Sequence, residues 1–303
     1  MTKRALLISG GMSLLIATSA ASEGVTTIYH GLCEASAAVY LNSNHFVVAS
    51  DETNILRIYR RGSPSSGIPL DFQAPSGFDK SDIEAAAISG DIVYWISSHS
   101  LNSDGEDKQK RKIFFATRIV TTNASPTLEW VGSVTSLRDE ILEVVGTEKS
   151  DLNIEGMAVS PDGGLIIGLR NTVEDAAVVI HFENPAEVIA QPNTNPDLRL
   201  GFPLKLGGKG VRSIERVNNG YLIVGGPVSD TGGFSLYAWS GRDETPVELQ
   251  GISFDSLRPE AMMQVPGEGT VQILSDDGSK TCDDEKSPMP QRAFRSLDLE
   301  VSK

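Results

Sequence analysis

The sequence predicts an all-β fold, a single β-propeller built from four-stranded blades. Three observations lead to this prediction: a glutamate phrase that recurs through the chain, a strand-rich run after each copy, and further strands before the next copy. Repeats on the order of 40 to 50 residues are typical of propeller blades, solenoid units or arrays. No linker or low-complexity tract divides the repeats, so one propeller domain is expected.

The recurring phrase places a glutamate just inside an apolar run. Successive glutamates are 50, 71, 60 and 45 residues apart. Five copies predict five blades, or six if the 71-residue interval contains a degenerate blade. The five glutamates are Glu34, Glu84, Glu155, Glu215 and Glu260.

Each glutamate is followed by a run rich in Val, Ile, Tyr or Phe that ends in a polar or glycine-rich cluster, which indicates a strand. The interval from glutamate to cluster is 11 to 17 residues, which fits one antiparallel hairpin. Because the second strand returns beside the start of the first, we expect the glutamates and the clusters to lie on one rim. The clusters contain Asp51, His99, Arg170, Gly226 and Asp276.

The outer strands complete the blades. A third strand follows in four units, and a weaker fourth is predicted near 66–72, 127–134, 198–206 and 246–250. The fifth unit has an outer strand near 292–299 but lacks its fourth. The run at 25–29 can supply it, and pairing the two ends of the chain closes the ring and removes exposed sheet edges. Residues 136–145 predict a helix between blades.

The N-terminal residues have the pattern of a secretory signal. Lys3 and Arg4 precede a mostly apolar stretch and then small residues, so we expect a signal peptide at 1–21 and the propeller at 22–303. No other stretch approaches the ~20 apolar residues of a membrane span. We therefore expect an exported monomer, periplasmic or secreted.

The chain is acidic. Its formal net charge is −14 at pH 7, and removal of Lys3 and Arg4 takes it to −16. No basic run with interleaved aromatic residues indicates a nucleic-acid-binding face. The acidity is typical of a soluble exported protein, and it also favours attraction of cations or of a basic partner.

Two cysteines, Cys33 and Cys282, predict a disulfide in an oxidising compartment. Cys33 begins the first blade and Cys282 follows the second strand of the last, so ring closure brings both to the same rim. The alternative is two unpaired thiols. The two cysteines are too far apart in the sequence to match the ligand spacing of a metal site.

Five short sequence motifs, taken together, are specific enough to indicate a family. They are SSHS at 97–100, NIEGMA at 153–158, GLRN at 168–171, GGKGVRSIE at 207–215 and LRPEAM at 257–262. Over about residues 30–285 the chain resembles a bacterial family of domains of unknown function. That family is similar to the phytase-like, esterase-like propellers and has more distant calcium-dependent propeller relatives. The resemblance implies a β-propeller without an established activity.

The rim carboxylates suggest a cation site. Carboxylates that converge on one axis repel each other unless cations, arginines or raised pKa values compensate, and oxygen ligands suit a hard divalent cation such as calcium. The candidate ligands are Glu34, Glu84, Glu155 and Glu260, with Asp51 or Asp276.

In the alternative hypothesis the glutamates are structural. Each accepts hydrogen bonds from backbone N–H groups of the neighbouring blade and pairs with an arginine. Recurrence in every blade favours this alternative, because a single site rarely needs five equivalent ligands. The candidate arginines are Arg57, Arg170, Arg212 and Arg258.

His99 is the only histidine that the repeat places on the rim, where Arg170 and Arg212 join it. These three are the catalytic candidates, because a histidine with two arginines can bind and protonate a phosphate or carboxylate ester that a cation polarises. The structural alternative is a hydrogen-bonded histidine. Serine-hydrolase, zinc-protease and dinucleotide-binding motifs are absent from the sequence.

Two functions from different classes remain open. One is a metal-assisted hydrolase of phosphate or other esters at the channel rim. The other is a non-catalytic ligand- or protein-binding propeller of the cell envelope. Either would accept a small anionic ligand or ester. A cation with an open coordination position would favour the hydrolase, and Glu–Arg pairing across a filled channel would favour the binding protein.

Overall fold

The computed structural model describes residues 25–122, 125–218, 220–229, 231–243, 245–254, 256–278 and 291–301. The described residues form five antiparallel sheets of four strands each, arranged as a five-bladed propeller. The prediction of an all-β propeller is confirmed, with five blades. The predicted signal peptide at 1–21 lies outside the described residues.

In chain order the strands are β1 (Val25–His30), β2 (Ala37–Asn42), β3 (His45–Ser50), β4 (Thr53–Arg60), β5 (Ile68–Asp71), β6 (Ile83–Ser89), β7 (Ile92–Ser97), β8 (Phe114–Thr122), β9 (Ser125–Val134), β10 (Ile154–Val159), β11 (Leu165–Val173), β12 (Ala176–Phe182), β13 (Leu198–Leu200), β14 (Gly210–Val217), β15 (Gly220–Gly226), β16 (Ser235–Trp239), β17 (Val247–Glu248), β18 (Pro259–Gln264), β19 (Thr270–Ser275) and β20 (Ala293–Glu300). The helices are α1 (Gln73–Ser76), α2 (Leu137–Val145) and α3 (Pro185–Ala190), with short 3-10 helices at Gln109–Lys112 and Lys149–Asp151.

The blades follow the chain. Blades 1 to 4 are β2 to β5, β6 to β9, β10 to β13 and β14 to β17, and blade 5 is β18, β19, β20 and β1. The first strand of each blade is innermost, because β2, β6, β10, β14 and β18 contact one another in a closed ring. The described residues include no helix with the length and hydropathy needed to cross a bilayer.

The ring closes by pairing the two ends of the chain, as the sequence predicts. Strand β1 runs antiparallel to β20, with His30 opposite Ala293. Tyr29 of β1 stacks on Phe294 at 5.5 Å between ring centroids and meets Phe46 of blade 1 edge-on at 5.2 Å. The fourth strand of blade 5 therefore also packs against blade 1.

Apolar clusters fill the interfaces between neighbouring blades. Trp95 and Phe115 stack at 6.0 Å between blades 1 and 2, and separate clusters occupy the other four interfaces. Burial of apolar surface is the dominant favourable contribution to folding. The blades are therefore held face to face, and the inner strands are fixed around the axis.

The 71-residue interval between Glu84 and Glu155 shows no sixth blade among its described residues. It contains the long β8–β9 hairpin and α2. Helix α2 buries Leu137 and Ile141 between blades 2 and 3, and it ends at Gly146 in the left-handed conformation that favours glycine. The helix predicted at 136–145 is confirmed.

Candidate functional site

The innermost strand pair carries a β-bulge at the same point in blades 2 to 5. A bulge adds one unpaired residue to a strand and re-aims its side chain. The extra residues are Glu84, Glu155, Arg212 and Glu260. Ser36 is the counterpart in blade 1, because its N–H donates to the Ala49 carbonyl at 3.2 Å while Ala37 also lies opposite Ala49.

The expectation that five glutamates share one rim is wrong for Glu215. In blade 4 the bulge position belongs to Arg212, and Glu215 lies three residues farther along β14, opposite Leu222. Glu215 lines the other end of the channel, together with Gln264 and Pro266. The Ile214-Glu215 phrase in blade 4 matches the repeat in sequence, but its residues lie in a different register relative to the β-bulge.

Glu34 also differs from the other glutamates in position, because it precedes Ser36, the bulge counterpart, by two residues. Its equivalent in blade 2 is Asp82, which precedes the bulge residue Glu84 by two. Asp82 was not among the residues predicted from the sequence. The shared spacing of Glu34 to Ser36 and Asp82 to Glu84 is the signal that could have found it.

Carboxylates of blades 1 and 2 meet at the channel mouth in what we call the acidic cluster. Its members form two overlapping groups in which carboxylate oxygens lie within 4.8 Å of one another. Asp51 belongs to both groups and is therefore central. The first group is Glu34, Asp51 and Glu52, and the second is Asp51, Asp82 and Glu84.

Burial and mutual repulsion raise the pKa values of this cluster. Burial raises the pKa of Asp51 well above its usual range, and Glu34 raises it further. Burial, with Asp82 and Asp51 nearby, does the same to the pKa of Glu84. Glu34 Oε2 and Asp51 Oδ1 are buried and accept no hydrogen bond from another donor group among the described residues, and the two carboxyls lie close enough to hydrogen-bond each other when one is protonated. Two such oxygens need a shared proton or a cation.

Basic side chains pair with the edges of the acidic cluster. Arg111 Nη2 lies 2.5 Å from Asp82 Oδ2, and Lys80 Nζ lies 2.5 Å from Glu52 Oε1. Within the described ranges, the other three members form no ion pair with a basic side chain. The centre of the cluster therefore consists of carboxyl groups that form no ion pair among the described residues.

Carboxylates of blades 3 and 5 are paired instead, in what we call the arginine network: Glu155, Arg170, Arg212 and Glu260. Arg212 Nε lies 2.9 Å from Glu155 Oε2, and Arg212 Nη2 donates to Glu260. Arg170 Nη1 donates to Glu155 Oε1 over 3.2 Å. The side chains of Glu155 and Arg212 are each 7% exposed, so the pair is buried.

Glu260 keeps a raised pKa despite this pairing. Burial dominates and raises the pKa of Glu260 to about 8, while Arg212 opposes the shift. Asp276 lies close enough to raise it further, and Asp276 itself accepts the Gly278 N–H at 2.9 Å. Arg57, by contrast, donates to the Ser66 carbonyl at 2.8 Å.

The glutamates differ between the two halves of the mouth. Glu155 and Glu260 pair with arginine. Glu34 and Glu84, together with Asp51, belong to groups of close carboxylates instead, and the cation site stays a prediction. Glu84, Glu155 and Glu260 line the channel together with small and apolar side chains. The space between them has room for about one water, so a ligand larger than an ion or a water would have to bind outside this narrow part.

His99 is completely buried rather than open to the rim. Burial, with Arg138 and Lys112 nearby, lowers the pKa of His99 to about 3, so the ring is neutral at physiological pH. Neither ring nitrogen has a hydrogen-bond partner among the described residues. The structure therefore does not join His99 to Arg170 or Arg212 through its ring.

Cys33 lies at the start of blade 1, directly before Glu34, and is 9% exposed. No described cysteine is a free thiol. Cys282 lies outside the described residues, and the Cys33–Cys282 disulfide stays a prediction.

Residues 136–270 match a family model described as "Protein of unknown function (DUF3616)". The match includes blades 3 and 4 and, together with the fold, supports a propeller family of unknown function. A comparison with curated proteins gives no match. The similarity to phytase-like propellers stays a prediction.

Solved structures show likeness of fold. An exo-β-1,3-galactanase from Clostridium thermocellum has a TM-score of 0.51 and 9% identity, over 92% of this chain and 63% of that chain. Glutaminyl cyclase from Myxococcus xanthus has a TM-score of 0.45 and 10% identity, over 91% and 96%. A gluconolactonase from Xanthomonas campestris has a TM-score of 0.43 and 12% identity, over 91% of each chain. At these identities the likeness concerns the fold alone.

Proposed function

We propose that the channel mouth binds a divalent cation, calcium, and that the protein is a metal-assisted hydrolase of phosphate or other esters. The observation that carries this proposal is the centre of the acidic cluster, where Asp51 is shared by two groups of close carboxylates. Carboxylate oxygens are the ligands that calcium prefers. The buried oxygens of Glu34 and Asp51 fit such an ion.

The number of ligands supports an open site. Each group of the cluster offers three oxygens, one from each side chain, whereas calcium takes roughly 6 to 8 oxygen ligands. The remaining positions suit water and a substrate oxygen. A cation bound there supplies charge that polarises an ester or phosphoryl group.

Other residues of this chain could accept a proton and bind the anionic group of the substrate. Glu84 has no ion pair among the described residues, and burial raises its pKa well above the usual range. A cation bound nearby would favour its ionised form, which could then accept a proton from water. Arg170 has an 18% exposed side chain, against 7% for Arg212. We assign Arg170 the binding of the anionic group and give the buried His99 no role.

Calcium binding is tested first. The protein is treated with a chelator, and its melting temperature is measured with added calcium or magnesium. Calcium at 100 times its Kd should stabilise the protein by about 2.7 kcal/mol, and Asp51→Asn should lose this effect. Asp104→Asn, at an exposed aspartate, is the matched control and should keep it. Absence of a calcium effect in the wild-type protein would contradict the proposal.

Hydrolysis is tested second, with p-nitrophenyl phosphate and p-nitrophenyl acetate. Activity should require calcium and should fall in Asp51→Asn and Glu84→Gln but not in Asp104→Asn. Calcium binding without turnover of any ester would reject the hydrolase and keep the cation site.

A non-catalytic binding propeller is the second candidate, favoured by one observation. Arg212 joins Glu155 of blade 3 to Glu260 of blade 5, so ion pairs occupy that half of the mouth. A small carboxylate or phosphate ligand that binds the calcium-loaded protein without being hydrolysed would support this candidate.

A further inference from the structure

The channel has a second mouth at the end remote from the acidic cluster. A cavity of about 320 Å³ opens there, within the range of roughly 300–1,000 Å³ that is typical of small-molecule sites. Its lining includes the apolar side chains of Ala87, Ile88, Val159 and Pro266, together with Gln264 and two charged residues, Glu215 and Arg216. The cavity is therefore largely apolar, with one acidic and one basic residue.

The Glu215 carboxylate has a single hydrogen bond from the protein. Glu215 Oε1 accepts the backbone N–H of Gln264 at 2.9 Å. The neighbouring Arg216 donates to the Ser160 carbonyl over 3.2 Å, and within the described ranges no basic side chain forms an ion pair with Glu215. Burial raises the pKa of Glu215 to about 7. A ligand that brings positive charge would compensate this group.

We propose that the second mouth binds a small molecule that carries a primary ammonium group on an apolar body. The ammonium donates to the Glu215 carboxylate, and the apolar body contacts Ile88, Val159 and Pro266. Burying a carboxylate is costly unless it is paired and hydrogen-bonded, and an ammonium group supplies both the charge and the donors.

Other ligand classes fit this cavity less well. An anion would leave the charge of Glu215 uncompensated, and the basic residue of the lining, Arg216, already donates to the Ser160 carbonyl. Among the described lining residues Glu215 is the only carboxylate, whereas calcium takes about 6 to 8 oxygens. The site also lies apart from the proposed calcium site, because the channel between them is narrow. It therefore does not depend on the proposed hydrolase function.

Isothermal titration calorimetry tests this proposal with the full chain at about pH 8, where Glu215 is ionised, with a chelator present. The probes are n-butylammonium, n-butanol and butyrate. Butylammonium should bind, and the other two should bind at least about tenfold more weakly, since a hydrogen bond to a charged group is stronger than a neutral one. Binding should shift the methyl resonances of Ile88.

Two variants locate the contact. Glu215→Gln keeps the side-chain shape and should weaken butylammonium binding at least about tenfold, with an unchanged circular dichroism spectrum. Glu248→Gln, at an exposed glutamate on β17, should bind as the wild type does. Equal binding of butanol and butylammonium, full retention of binding in Glu215→Gln, or equal competition by sodium ions would overturn the proposal.

Discussion

Glu155 and Arg212 occupy the same position in neighbouring blades: each is the extra residue of a β-bulge on the innermost strand. The bulges bring Arg212 Nε to 2.9 Å from Glu155 Oε2, and Arg212 also donates to Glu260, the bulge residue of blade 5. One arginine therefore compensates carboxylates from the blades on either side of its own. Three blades are joined around the axis by this contact.

Replacing Arg212 with methionine should destabilise the protein by roughly 3–5 kcal/mol, because it leaves Glu260 without its basic partner and Glu155 with Arg170 alone. Urea denaturation at pH 9, above the pKa of Glu260, measures the change in the free energy of unfolding. The control is Arg118→Met, which removes an ion pair with Asp91 whose side chains are 49% and 57% exposed. That pair should contribute less than about 1 kcal/mol.

A comparable loss of stability in both variants would show that the buried network stabilises the protein no more than an exposed ion pair does. In Arg212→Met the destabilisation should also shrink as the pH is lowered, since protonation of Glu155 and Glu260 removes their charge. A loss that does not vary with pH would assign the effect to packing against Phe234, which lies 5.9 Å from the Arg212 guanidinium.

The blades could be predicted from the sequence because their evidence is local and repeated. Runs of β-branched residues with polar ends predicted the strands. The additional strand at 25–29 predicted that the ring closes by pairing with the last strand, β20. The register within a strand is different, since it depends on hydrogen bonds to the next strand. Ile214-Glu215 has the same letters as Ile154-Glu155, yet the bulge in blade 4 falls at Arg212.

The site was predictable only in part for the same reason. A change in register along a strand moves a side chain to another face or another end, so matching phrases identified Glu84, Glu155 and Glu260 but misplaced Glu215. His99 was expected on the rim, whereas it is buried near Arg138 of α2. Helix α2 lies outside the repeat, and nothing in the repeat itself indicates what this helix covers.

Calcium should stabilise the protein more at pH 8 than at pH 5. The pKa values of Glu34, Asp51 and Glu84 are raised in the folded state, so protons compete with the cation as the pH falls through their raised values. Melting temperatures at a fixed calcium concentration across this pH range measure the effect. An increase in melting temperature on calcium addition that is the same or larger at pH 5 would contradict a site built from these carboxyls.

Without a cation, Asp51→Asn should be more stable than the wild type at pH 8. The substitution removes the carboxylate that both groups of the cluster share, and with it the repulsion that raises the neighbouring pKa values. The difference should disappear at low pH, where the carboxyls are protonated. Denaturation in a chelator measures it, and Asp104→Asn should show no such gain.

Glu215→Gln should change how stability depends on pH. Burial raises the pKa of Glu215 from 4.5 to about 7, so the folded state binds more protons than the unfolded state between these values. The contribution is present below about pH 4.5 and is lost as the pH rises through 7, by at most about 3 kcal/mol. The wild type should therefore lose stability relative to Glu215→Gln over this range. A difference that is flat with pH would show that Glu215 titrates normally.

Gly210→Ala should be strongly destabilising. A Cβ at Gly210 would lie 1.7 Å from the Arg170 carbonyl oxygen, a backbone atom of blade 3 that cannot move without disturbing β11. Overpacking typically costs about 1–3 kcal/mol, and this contact should reach the upper end or prevent folding. Gly233→Ala is the control, because no atom lies within 4 Å of its added Cβ. Equal stability of the two variants would show that blades 3 and 4 can separate at little cost.

Cys33 and Cys282 should form a disulfide in the exported protein. After expression with export to an oxidising compartment, peptide mapping without reductant should find the two cysteines in one linked pair. The bridge would close a loop of about 250 residues, for which chain-entropy estimates give on the order of 4–5 kcal/mol less any strain. Cys282→Ser should lose that stability and should no longer respond to reductant.

The same bridge bears on the acidic cluster, because Glu34 follows Cys33 directly. Loss of the bridge frees the segment that carries Glu34, so calcium should bind Cys282→Ser more weakly than the wild type even at temperatures where the variant is folded. Calorimetric titration with calcium measures this difference. Alkylation of both thiols in the exported wild-type protein without prior reduction would remove the disulfide, and unchanged calcium affinity in Cys282→Ser would separate the bridge from the cation site.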